Sequence, residues 1–129
     1  MSAAITSPAP PRRVLIVEDN PDGRETLRLL LDLWGYQVEA AADGAEGLRK
    51  ALAWRPDAAV VDLGLPLLDG FQLAREVRSC LGCGVLLIAL TAMSHPENQR
   101  RAAQAGFDVH MPKPADLDAL QELLAGTEA

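Results

Sequence analysis

Acidic or polar residues stand at the ends of separate apolar runs. Glu18 and Asp19 follow Val14-Leu15-Ile16-Val17, and Asp62 follows Ala58-Ala59-Val60-Val61. Thr91 follows Val85-Leu86-Leu87-Ile88-Ala89-Leu90, and Lys113 follows Val109-His110-Met111-Pro112. If these runs are neighbouring parallel strands, their ends open at one edge of a sheet, where open α/β sheets place their sites. Crowded carboxylates repel one another, so the grouping makes sense with a bound cation. An all-oxygen ligand set suits a hard divalent ion such as Mg²⁺. A carboxylate, a hydroxyl and an amine beside that ion are the parts needed to form and hold an acyl phosphate.

The elements that must position these groups alternate short apolar runs with amphipathic segments, the pattern of βα units and a parallel sheet. Asn20-Pro21 supplies an N-cap and a first-turn proline for a first helix, in which Leu27, Leu30, Leu31 and Trp34 recur at helical spacing until Gly35 ends it. Val38 to Ala41 reads as a weak edge strand. Asp43 with Glu46 opens a second helix that closes before Pro56. Ala58 to Val61 is apolar throughout, as a central strand covered on both faces would be. Leu63 to Gly70 reads as a loop, and Asp69 with Gln72 opens a third helix through Val77. Val85 to Leu90 is a strand, Ser94-His95-Pro96-Glu97 a capping box for a helix ended by Gly106, and Phe107 to Met111 a fifth strand. Leu117, Leu120 and Leu124 form the stripe of a last helix. Trp34 and Trp54 read as packing residues.

At 129 residues the chain makes one domain able to bury a core without staples. Its net charge of −6 argues against a direct nucleic-acid footprint, which selects basic surfaces. Beyond Lys113 every charged side chain is acidic: Asp116, Asp118, Glu122 and Glu128. No run reaches the length of a membrane span and the N-terminus lacks a signal-peptide core, so a cytoplasmic protein is expected. Residues 1–11, rich in Ser, Ala and Pro, read as a disordered lead-in to a domain over 12–126. Cys80-Leu81-Gly82-Cys83 falls between a helix end and a strand start, at the edge opposite the acidic cluster, and reads as two reduced thiols.

The chain from about Arg13 to Leu124 resembles the response-regulator receiver domains of two-component phosphorelay systems. LIVEDN at the first strand end, VVDLGLPLLDG at the third, LTA after the fourth and GFDVHMPKP across the fifth carry the resemblance. It implies a doubly wound (βα)₅ α/β fold, a flavodoxin-like parallel sheet in strand order 2-1-3-4-5. It also implies that Asp62 accepts a phosphoryl group, and that Glu18, Asp19, Asp62 and the Gly64 carbonyl bind Mg²⁺ or Mn²⁺. Thr91 would contact the phosphoryl oxygens, Ala92 would keep the pocket open, and Lys113 would pair with those oxygens. His110 falls where the family carries a rotating aromatic switch. The family's Lys-Pro bond is typically cis, which points to a cis Lys113-Pro114 bond.

Taken singly, these residues have plainer readings. Glu18 and Asp19 also suit the positive end of a helix, Thr91 a turn, Lys113 a solvated surface, and His110 a strand core. Glu18 stands where Asp is commoner, which lengthens the reach. Gly64 and Met93 occupy positions that in the family influence phosphoryl lifetime. The last helix lacks the basic residues that many DNA-binding members use for pairing.

The resemblance implies a non-enzymatic signalling role, with a sensor histidine kinase or a histidine phosphotransfer protein as donor. The downstream partner would be a protein target or a covalently linked kinase. No effector domain is expected after the last helix, and a monomer or weak dimer is expected. Two other classes stay open. An aspartyl-phosphate hydrolase would carry a second aspartate two residues after the nucleophile, where this chain has Gly64. A phosphate-independent interaction module of the same fold would be expected to lack one of the site residues.

Overall fold

Parallel pairing of five strands brings the ends of the apolar runs to one edge. A computed structural model describes residues 12–65, 69–92 and 96–126. The strands are β1 (Arg13–Val17), β2 (Gln37–Ala41), β3 (Ala58–Asp62), β4 (Leu86–Thr91) and β5 (Val109–Pro112). The helices are α1 (Pro21–Leu33), α2 (Gly44–Trp54), α3 (Gly70–Leu81), α4 (Pro96–Ala105) and α5 (Leu117–Gly126), with a short 3-10 turn at Gly82–Gly84. The sheet runs β2-β1-β3-β4-β5 and every pairing is parallel. This is the doubly wound order expected from the resemblance.

Side chains alternate across each strand, and the two apolar sets form two cores. Leu15, Val17, Val61, Leu87 and Ala89 face one side with Leu73, Val77 and Ala102 of α3 and α4. Val14, Ile16, Val60, Ile88 and Met111 face the other with Leu27, Leu31, Leu120 and Leu124 of α1 and α5. All five residues of β3 are buried, in keeping with its central place, whereas β2 alternates as an edge strand does.

Several boundaries differ from the sequence reading, each for a local reason. Helix α3 continues past Val77 to Leu81, where Arg78 donates to the Gly82 and Val85 carbonyls at 2.9 and 2.7 Å. Val85, buried, precedes the β4 ladder, which begins when Leu86 N–H donates to the Asp57 carbonyl. Phe107 leaves the β5 line to enter the core, and Asp108 accepts from Leu87 N–H at 2.9 Å. Leu117 is 45% exposed, so α5 buries Leu120 and Leu124 but not the first member of its stripe. The lead-in over 1–11, the capping residues Ser94 and His95, and Met93 lie outside the described residues. So does the middle of the Leu63–Gly70 loop.

Candidate functional site

Local sequence sets each strand end. After β1, Asn20 caps α1, its Oδ1 accepting from the N–H groups of Asp22 and Gly23 at 2.9 and 3.2 Å. The Asn20 N–H donates to Glu18 Oε2 at 3.1 Å, so the cap also fixes the acidic side chain. Arg24, one turn into α1, donates to the Glu18 and Asp19 carbonyls at 3.0 and 3.4 Å. After β3 the chain returns close to itself: a Cβ at Gly70 would lie 2.9 Å from the Asp62 carbonyl oxygen. Only glycine permits that approach. Asp69 and Gln72 then form a reciprocal capping box that starts α3, as the sequence implied.

Carboxylate oxygens of Glu18, Asp19 and Asp62 lie within 4.8 Å of one another. Glu18 and Asp62 are buried and Asp19 is exposed. The Lys113 ammonium stands between the two buried acids, 2.8 Å from Glu18 Oε1 and 2.9 Å from Asp62 Oδ2. The other Asp62 oxygen accepts from Gly64 N–H at 2.9 Å. The Lys113 N–H donates to the Thr91 carbonyl at 2.8 Å, which docks the end of β5 against β4, and the Lys113-Pro114 bond is cis.

Three carboxylates facing one ammonium leave an excess of negative charge at this edge of the sheet. Burial is the largest influence on Glu18 and raises its pKa. Hydrogen bonds from Lys113 and Asn20 pull it back, Asp62 adds repulsion, and the net shift is upward. For Lys113 burial acts against the charged form. The hydrogen bonds and charges of Glu18 and Asp62 together outweigh it and hold the pKa above the ordinary lysine value.

A cavity of about 240 Å³ opens on Asp62 and is lined by Gly64, Phe71, Thr91, Ala92 and Asn98. Thr91 is buried, and Ala92, exposed, leaves its mouth clear of bulk. A second groove, about 620 Å³, runs between α1 and the β5–α5 connection along Glu18, Leu27, Leu90, Lys113, Pro114 and Leu117. His110 pairs with Ala89 across β5 and β4, on the α4 side of the sheet. It is partly buried, and its Nε2 is buried without a hydrogen-bond partner among the described residues. All the candidate residues thus gather at one sheet edge or flank it.

Sequence reasoning missed Arg24, Phe71 and Asn98. Each is an ordinary helix residue in the sequence, and only the packing of α1, α3 and α4 around the strand ends gives them a place at the site.

A doubly wound α/β domain with a buried aspartate, an acidic pair and a bridging lysine at its carboxyl edge defines a class, and the comparisons agree with it. The response regulator receiver domain family matches residues 14–125, and the chain belongs to that family, which serves two-component signalling. The response regulator MprA of Mycolicibacterium vanbaalenii is 41% identical over 119 residues, covering 92% of this chain and 50% of that protein. The chain therefore spans about half the length of the curated relatives it matches. Among solved structures, the Vibrio cholerae chemotaxis protein CheY4 superposes with a TM-score of 0.83 at 30% identity, covering 91% of this chain and 98% of that one. The receiver domain of the Pseudomonas aeruginosa sensor histidine kinase PA1611, solved with magnesium coordinated in its active-site cleft, gives 0.83 at 34% identity. It covers 92% of this chain and 99% of that one.

Among the described residues, no helix is long and apolar enough to cross a membrane.

Proposed function

We propose that the chain is a phospho-accepting receiver in which Asp62 takes a phosphoryl group from a phosphohistidine. The donor would belong to a sensor histidine kinase or a histidine phosphotransfer protein, in the cytoplasm. The observation that carries this reading is the place of Asp62: buried at the end of β3, 2.9 Å from Lys113, and opening into a cavity walled by Thr91. The Asp62 carboxylate attacks phosphorus, the phosphorus–nitrogen bond of the donor breaks, and the imidazole leaves with its electron pair and picks up a proton.

Glu18, Asp19 and Asp62 form an all-oxygen donor set that fits a hard divalent ion, Mg²⁺ or Mn²⁺, with the Gly64 carbonyl as the fourth ligand implied by the family. When bound, that ion supplies positive charge against the phosphoryl oxygens. Lys113 supplies a second positive charge, and Thr91 a hydroxyl donor at the cavity wall. The phosphate brings about −1.5 to −2 charges at neutral pH. Drawing Thr91 toward it opens space beside His110 and shifts a two-state equilibrium of the face formed by α4, β5 and α5. That face would engage a downstream protein or a covalently linked kinase rather than nucleic acid, given the acidic α5.

Incubation with acetyl phosphate and Mg²⁺ should add one base-labile phosphoryl mass, which Asp62→Asn or EDTA abolishes. Undiminished labelling in the variant would overturn the assignment. Labelling indifferent to EDTA would overturn the role of the metal.

A further inference from the structure

Two contacts from α3 reach α4 and its C-terminal turn. The buried residues of α4 are Ala102 and Ala105, so little apolar area anchors this helix. Beyond its C-terminal end, Arg78 of α3 donates to the Gly106 carbonyl at 2.8 Å and to Asp108 at 2.6 Å. Near its middle, Arg101 lays its guanidinium over the Phe71 ring, 4.1 Å from the ring centroid. Phe71 and Arg78 are about two turns apart, on one face of α3. The Arg78 contacts lie at the sheet edge where β4 and β5 begin. Phe71 instead forms part of the wall of the cavity that opens on Asp62, and Asn98, one turn before Arg101, lines the same cavity.

We propose that Arg101 is a positioning residue which, with Phe71, forms a latch holding the N-terminal half of α4 to the acceptor cavity and coupling the filling of that cavity to α4. The inference rests on the reading of Asp62 as acceptor and extends it to regulation. A phosphoryl dianion in the cavity lies beside the ring that carries the guanidinium. The pull on Arg101 rises, and the first turns of α4 are held more tightly. The Arg78 contacts, at the opposite edge, keep the end of α4 in place, so the response is confined to the half of α4 nearest the cavity.

Hydrogen exchange on the full chain, with and without beryllofluoride and Mg²⁺, tests the latch, and ¹⁹F NMR reads uptake of the mimic separately. Without the mimic, R101A should speed exchange over residues 96–101 by ~5-fold or more and leave 102–106 near wild type. With the mimic, wild type should slow exchange over 96–101 and R101A should not. F71L should match R101A, the double variant should lose nothing further, and R101K should recover part of the effect. Wild-type exchange over 96–101 in resting R101A, or additive losses in the double variant, would overturn the latch. If R101A binds the mimic and slows like wild type, the coupling falls while the acceptor reading stands. If wild type takes up no mimic, the acceptor reading falls and takes the coupling with it, and the resting comparison alone decides the latch.

Discussion

Lys113 donates to Asp62 at 2.9 Å across 51 positions of sequence. The same ammonium lies 2.8 Å from Glu18, so one cation compensates two buried acids. Removing it in Lys113→Ala leaves both uncompensated. With Lys113 part-exposed and partly screened, the loss expected in metal-free buffer at neutral pH is about 1–2 kcal/mol. Mg²⁺ should restore much of that loss, because it supplies charge at the same carboxylates. Urea unfolding in EDTA and in excess Mg²⁺ checks this, and an identical loss in both would refute it.

Glu18 gives a pH signature. Its folded pKa is raised, chiefly by burial, above the ordinary value of 4.5. A raised carboxyl pKa contributes stability that is full below the unfolded value and is lost as pH rises through the folded one. Glu18→Gln has no such charge to bury. In EDTA, the stability of the variant relative to wild type should therefore increase as pH rises from about 4 to 7. Denaturant midpoints across that range measure it, and a flat or falling difference would contradict the assigned shift. With Mg²⁺ the ordering should reverse, since the wild-type carboxylate then gains a ligand role.

Arg78 and Gly106 fit each other closely. Gly106 has φ +116°, and a Cβ there would fall 2.6 Å from Arg78 Cγ. Gly106→Ala should cost about 1–2 kcal/mol through its left-handed backbone and the displaced arginine. Arg78→Ala should cost about 3 kcal/mol, because it strips donors from the Gly82, Val85 and Gly106 carbonyls and from Asp108. If the arginine is the shared cause, the double variant should cost less than the sum of the two. Additive losses would separate them.

The strand ends were legible because short continuous apolar runs reveal strands covered on both faces, and neighbouring parallel strands open their ends at one edge of the sheet. Glu18, Asp19, Asp62, Thr91 and Lys113 are therefore found where sequence reasoning put them. The pairing of Lys113 with Glu18 as well as Asp62 was not legible, since it depends on the reach of Glu18 and on the β5 end docking against Thr91. The Phe71–Arg101 stack joins two helices whose patterns say nothing of each other. Leu117 looked like core because spacing gives a helix face but not where that face meets the domain, and at the first turn of α5 it lines a groove instead. Phe107 and Val85 looked like strand residues because an apolar residue that enters the core from a loop has the same sequence signature.

His110 carries the last expected outcome. It stands beside Ala89 on the α4 side of the sheet with Nε2 buried and unpaired among the described residues. An unsatisfied buried nitrogen costs about 1–3 kcal/mol, and a hydrocarbon ring of similar outline does not incur that cost. His110→Phe should therefore stabilise the metal-free protein by about 1 kcal/mol. Acetyl phosphate labelling of Asp62 should stay unchanged, because the imidazole touches neither Asp62 nor Lys113 among the contacts described. His110→Ala should instead lose about 1–2 kcal/mol by leaving a void. If position 110 works by filling the space that Thr91 vacates, Phe should preserve the exchange response of α4 and β5 to beryllofluoride, and Ala should abolish it. Urea midpoints and hydrogen exchange on the two variants decide the matter. A destabilised His110→Phe that also loses the response would mean that the imidazole nitrogen finds a working partner in solution, and that position 110 acts through its polarity rather than its shape.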